Sequence, residues 1–166
     1  MKKLIIISGP MGVGKTTTGK ILCEMLGRTA FIDGDWCIDI HPFIGNKETK
    51  EMAINNIIHM TRNYYNCSEC ENIVLSWVMS ENSINRIISE LSNLEVKIHV
   101  ITLICDKESL IDRWNKDLTT EWRIDEWLQQ SIESLEDYSC RAGTILINTS
   151  NTPLCDVADE IFEALI

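Results

Sequence analysis

Short apolar runs alternate along this chain with longer stretches whose apolar residues recur three and four apart. Leu4-Ile5-Ile6-Ile7, Ala30-Phe31-Ile32, Asn72-Ile73-Val74-Leu75-Ser76, Val96 to Ile104 and Thr144 to Ile147 read as strands. Lys15 to Leu26, Lys47 to Tyr65, Glu81 to Leu94, Lys107 to Lys116, Asp125 to Tyr138 and Pro153 to Leu165 read as helices. Continuous apolar strands that take turns with helices predict an α/β fold of three layers, a five-stranded parallel sheet with helices on both faces. In such a sheet, ligands bind beyond the carboxyl ends of the strands, so the residues just after each strand are the ones to examine.

After the first strand comes Gly9-Pro10-Met11-Gly12-Val13-Gly14-Lys15-Thr16, which matches the phosphate-loop pattern G-x-x-x-x-G-K-[ST] between a strand and a helix. The glycines let successive N–H groups converge, and with the helix N-terminus they form an anion site. Lys15 supplies a charge for the β- and γ-phosphates, and the Thr16 hydroxyl is placed to ligate Mg²⁺. Thr17 adds support. The expected cofactors are ATP and Mg²⁺.

The second strand is followed by Asp33-Gly34-Asp35-Trp36. A carboxylate at this edge holds Mg²⁺ or accepts the proton of an attacking hydroxyl, as phosphoryl transfer to an alcohol requires. A plain Asp-Gly turn is the alternative, and the neighbouring phosphate loop favours chemistry. Asp33 is assigned to the metal and Asp35 to the acceptor. His41-Pro42 either lines the acceptor pocket or marks a turn, and Trp36 and Trp77 either wall that pocket or pack under loops. No acidic residue closes the third strand, which continues as Ser76-Trp77-Val78-Met79, unlike motor and GTPase proteins. Arg113, Lys116 and Arg123 surround a stretch expected to form a lid at about 114–125, from which Arg113 and Arg123 would neutralise the transferring phosphoryl. Arg62 is a further candidate for gripping an acceptor anion.

Composition narrows the partners. The chain has 166 residues and a net charge of −10, which argues against nucleic acid, whose binding relies on clustered Lys and Arg. The expectation is one domain over residues 1–166, monomeric or homodimeric. Met1-Lys2-Lys3 imitates the start of a signal peptide, but the apolar run ends at Ser8-Gly9, and no stretch reaches the roughly 18 apolar residues of a membrane span, so a cytoplasmic protein is expected. The seven cysteines are odd in number and scattered, which suits reduced thiols, and the lone Cys67-Ser68-Glu69-Cys70 supports neither zinc nor redox work.

With the loop, Asp33-Gly34-Asp35, Arg113 and the closing strand Ile145 to Ser150 in order, the chain resembles the small P-loop kinases: shikimate, gluconate and adenylylsulfate kinases, chloramphenicol phosphotransferase and the nucleoside monophosphate kinases. The resemblance implies strand order 2-3-1-4-5 and a loop after the last strand, here Asn148, Thr149 and Ser150, that packs on adenine. It matches Asp35 to the acceptor-side carboxylate and Arg113 to the lid arginine. His41-Pro42 follows Asp35 at a greater distance than in gluconate kinases, and the Gly-Gly turn of shikimate kinases is missing after the third strand. The resulting expectation is an ATP-dependent kinase of a small hydroxyl compound, sugar-acid or antibiotic-like. The alternatives are a nucleoside monophosphate kinase and a nucleotide-binding regulator or NTPase without an acceptor.

Overall fold

The computed structural model describes residues 1–116 and 124–165. Strands β1 (Lys2–Ser8), β2 (Thr29–Asp33), β3 (Asn72–Ser76), β4 (Val96–Ile104) and β5 (Ile145–Asn148) form one sheet in the order β2-β3-β1-β4-β5. Every pairing is parallel, and Ile6 stands level with Leu75 on one side and Val100 on the other. The helices are α1 (Lys15–Leu26), α2 (Lys47–Asn66), α3 (Glu81–Glu90), α4 (Lys107–Lys116), α5 (Asp125–Glu133), α6 (Leu135–Ser139) and α7 (Leu154–Ala164).

The unbroken run Leu4 to Ile7 follows from burial on both faces. Side chains alternate across a strand, so Leu4 and Ile6 join Ile32, Leu75, Ile57 and Ile87 in one core, while Ile5 and Ile7 join Leu22, Leu103 and Ile161 in the other. All four are fully buried, and truncating one to alanine costs about 2–5 kcal/mol. The carboxyl ends of the strands are locked in step: the Gly34 N–H donates to the Ser76 carbonyl at 2.9 Å and the Trp77 N–H to that of Ile7 at 3.2 Å. This brings Ser8, Asp33 and Ser76 to a single edge.

Most element ends fall within two residues of the periodicity, and three of the differences have a local cause. α3 stops at Glu90 rather than Leu94, because Leu91 N–H closes the helix on Ile87 and Ile88 carbonyls and Ser92-Asn93 continue as turn. The helix expected from Asp125 to Tyr138 breaks at Ser134, whose hydroxyl donates to the Ser131 carbonyl at 2.8 Å and competes with the helical ladder. β5 starts at Ile145, and Thr144 ahead of it instead holds Thr102 Oγ1 and the Val100 carbonyl through its side chain. Among the described residues, no helix is long and apolar enough to cross a membrane.

Candidate active site

The phosphate loop fills the turn between β1 and α1. Gly9, Gly12 and Gly14 all have positive φ, at 151°, 85° and 103°. A Cβ on Gly9 would lie 2.6 Å from the Leu103 carbonyl oxygen, so backbone fills the space a side chain would need. No side chain caps the N-terminus of α1, which leaves its first N–H groups directed at the loop's hollow. Lys15 is buried, and its Nζ donates to the Pro10 carbonyl at 2.8 Å across the loop. Thr17 is exposed at the helix start.

The loop is also held from outside. Ser131 of α5 donates to the Met11 carbonyl at 2.6 Å, and Arg113 of α4 donates through Nη1 to the Val13 carbonyl at 3.2 Å. Trp114 packs beneath Gly12. Arg113 also reaches Thr149, with Nη1 2.7 Å from Oγ1 and Nη2 on the carbonyl. Thr149 is fully buried, and beside it Ser150 N–H is held by Asn148 Oδ1 at 2.9 Å while Ser150 Oγ accepts from Asp106 N–H at 2.8 Å. Arg113 therefore joins the phosphate loop to the loop after β5. It is a strut on the nucleotide side, with its guanidinium already engaged by protein carbonyls, and this differs from the swinging lid group expected from sequence. Arg123 lies outside the described residues, as does the segment 117–123 of the expected lid.

On the other side of the loop the two aspartates take separate positions. Thr16 Oγ1 donates to Asp33 Oδ2 at 3.3 Å, placing two hard oxygen ligands side by side below the loop. Asp33 Oδ1 accepts the Asp35 N–H at 3.1 Å, and this short turn fixes the direction of the second carboxylate. Trp77 Nε1 donates to Asp35 Oδ1 at 3.1 Å. Gly34 makes the contact possible, because a Cβ there would sit 2.1 Å from Trp77 Cγ. Asp35 is open to the cleft, yet its carboxyl is raised above the ordinary value, first by loss of water around it and then by the negative Asp33; Lys15 and the Trp77 hydrogen bond oppose the rise.

The other acceptor-side residues divide. Trp77 is buried beside Asp35, whereas Trp36 is 79% exposed and walls no enclosed pocket in this structure. His41 is exposed, with Nε2 3.0 Å from Asp39 Oδ1. Arg62 is not brought to the site. α2 starts near the carboxyl edge and runs back along the sheet, so Arg62 in its last turns meets the end of α3, donating to the Glu90 carbonyl at 2.6 Å with the Glu90 carboxylate 4.0 Å away. Sequence reasoning missed Ser131, which holds the Met11 carbonyl of the loop. Ser131 is the one buried residue of α5, deeper than the half-buried Trp127, Leu128 and Ile132 of the same helix, a signal that periodicity alone does not use.

Comparison with known proteins bears on family and fold. A family model described as the AAA domain matches residues 5–138. A shikimate kinase of Psychrobacter arcticus is 51% identical over 35 residues, 21% of this chain and 18% of that protein, so the match spans under a fifth of the relative's length. A gluconokinase from Sinorhizobium meliloti superposes with a TM-score of 0.74 at 17% identity, over 99% of this chain and 91% of the other. The tunicamycin resistance protein of Deinococcus radiodurans gives 0.71 at 18% identity, over 99% and 96%. At these identities the solved structures establish the fold.

Proposed function

We propose that this chain, which belongs to the AAA domain family, transfers the γ-phosphoryl of ATP to a hydroxyl of a small molecule. One observation carries the reading: Thr16, Asp33 and Asp35 stand in a row from the phosphate loop outward, with the first two touching and the third directed by Trp77.

The residues fit ATP and Mg²⁺. The glycine cradle has no room for side chains and Lys15 already caps an oxygen of the loop, the position a phosphate oxygen would take over. Thr16 would hold Mg²⁺ directly and Asp33 through its water shell. Mg²⁺, when bound, offsets the charge of the β- and γ-phosphate oxygens. Gly9 to Thr17 would bind the phosphates, and Asn148, Thr149 and Ser150 would border the base, with Arg113 holding the two segments in register.

Asp35 would orient the acceptor hydroxyl and take its proton. The alcohol oxygen then bonds to the γ-phosphorus as the bond to the β–γ bridging oxygen breaks, which leaves ADP and a phosphate monoester. The raised carboxyl serves this, since a carboxylate destabilised by its surroundings accepts a proton more readily. The acceptor is of the sugar-acid or antibiotic-like kind, met in the cytoplasm by a monomer or homodimer. A nucleoside monophosphate acceptor is disfavoured, because Arg28, Arg62 and Arg86 are each paired with glutamates.

The test is Asp35→Asn with a panel of hydroxyl compounds and nucleoside monophosphates. Acceptor-stimulated ATP consumption should fall by about 10²-fold or more, with ATP affinity kept within a few-fold. Undiminished turnover would remove Asp35 from the mechanism, and ATP binding with no stimulation by any compound would favour a regulator.

A further inference from the structure

The described arginines sort by partner. Arg28, Arg62 and Arg86 stand away from the phosphate loop and each makes an ion pair with a glutamate. Arg113 and Arg141 abut the loop, and neither makes an ion pair with a described carboxylate. In a chain with 25 acidic residues to 15 basic ones, leaving two half-buried guanidinium groups unneutralised beside one loop is a choice that needs a ligand to account for it. Arg113 is explained by the nucleotide side. Arg141 is not.

Arg141 follows α6 and lies on the opposite side of the loop. Its Nη1 donates to Ser8 Oγ at 3.1 Å, and its guanidinium carbon stands 3.7 Å from the centroid of the Tyr138 ring. Ser8 is the last residue of β1, at the ligand-binding edge, and is fully buried. Ser8 Oγ and Tyr138 Oη both donate to the Met79 carbonyl, each at 3.3 Å. Met79 lies two residues beyond Trp77, the group that directs Asp35. The arginine is thus flattened on a buried ring, held by Ser8 Oγ and the Tyr138 hydroxyl, and paired with no carboxylate among the described residues, at the side of the loop where Trp77 and Asp35 stand. A planar, immobilised guanidinium with parallel N–H groups matches a carboxylate or phosphate bidentately.

We propose that Arg141, set by Tyr138 and Ser8, is a specificity-determining residue that grips an anionic group of the acceptor, a carboxylate or a phosphate monoester, and so makes the acceptor a hydroxyl-bearing acid. This rests on the kinase reading for the identity of its occupant; the anion site itself does not. Arg141 takes over the role that sequence alone would give to Arg62.

The first measurement is anion binding with the phosphate loop filled. The full chain is saturated with Mg²⁺ and a non-hydrolysable ATP analogue, and inorganic phosphate and acetate are titrated in separate calorimetric experiments. Saturable binding of at least one is expected with the analogue present, weakened about tenfold or more in Arg141→Gln and partly restored in Arg141→Lys. Anion binding that disappears once the analogue is bound overturns the proposal on the unmodified protein, whatever the folding of the variants. Equal binding by well-folded Arg141→Gln overturns it too. The second measurement compares hydroxy acids, hydroxyl-bearing phosphate esters and neutral polyols as acceptors. Acids or esters should be consumed, and which of the two works identifies the anion; Arg141→Gln should raise the acceptor KM about tenfold or more and leave the ATP KM unchanged. Preferred turnover of neutral polyols overturns the proposal while the kinase reading stands. Retained anion binding at Arg141 without turnover of any compound leaves the site and overturns the kinase reading.

Discussion

Trp77 Nε1 donates a 3.1 Å hydrogen bond to Asp35 Oδ1 across 42 positions of sequence, joining the segment after β3 to the segment after β2. It stabilises the charged form of a carboxylate that its surroundings otherwise push toward neutrality. Trp77→Phe keeps most of the buried volume and removes the donor. The Asp35 carboxyl should then rise further, so the acid limb of the pH–rate profile moves to higher pH, and loss of the donor that orients the carboxylate lowers the plateau rate about tenfold, the scale of one hydrogen bond to a charged group. A pH–rate profile of the variant superimposable on the parent's would show that Trp77 only packs.

The same carboxyl links pH to stability. A carboxylic acid whose folded pKa lies above its ordinary 3.8 binds its proton more tightly when folded, so stability is lost as pH rises from the unfolded value through the folded one. Asp35→Asn should therefore have a higher Tm than the parent at pH 7. The advantage should vanish below 3.8, where the acid is neutral in both states. Thermal melts across this range read the sign directly.

Gly34 is required by contact rather than by backbone angle. Alanine there would place Cβ 2.1 Å from Trp77 Cγ, and the indole ring must move. Gly34→Ala is expected to lower stability by about 1–3 kcal/mol, read from the urea midpoint, and to displace Trp77 from Asp35. Its indole fluorescence should change with it.

Ser131 braces the nucleotide side. Ser131→Ala leaves the Met11 carbonyl without its 2.6 Å donor and frees the loop's tip. ATP affinity, followed with a fluorescent analogue, should fall about five- to tenfold, with Ser131→Thr closer to the parent. An unaltered affinity would confine Ser131 to tying α5 down.

Thiol labelling tests the burial pattern. Burial pushes Cys23 and Cys37 up to about 11, whereas Cys67 and Cys140 are exposed. Because the thiolate is the reactive form, alkylation of the folded chain at pH 8 should modify Cys67 and Cys140 first and spare Cys23 and Cys37, as mass spectrometry of the digest would record.

The phosphate loop and the α/β architecture were legible in the chain itself, because both are local. A strand, a glycine pattern and a helix follow one another within residues 2–26, and burial on two faces leaves its mark on the central strands β1 and β3 as unbroken apolar runs. Asp33 and Asp35 were legible for the same reason, since they end a strand at the edge where ligands bind. The partners of these groups were not. Arg62 and Arg141 are both arginines in or after helices, and nothing nearby in sequence says that one turns to Glu90 while the other lies flat on Tyr138 against Ser8. Sequence places Arg113 after the fourth strand, but its engagement with Val13 and Thr149 depends on how α4 and the end of β5 meet. Short-range pattern determined the phosphate loop and the sheet edge at which it stands. Packing between elements far apart in sequence decided which side chains point there, because a side chain's direction is settled by its tertiary neighbours and not by its position in the chain.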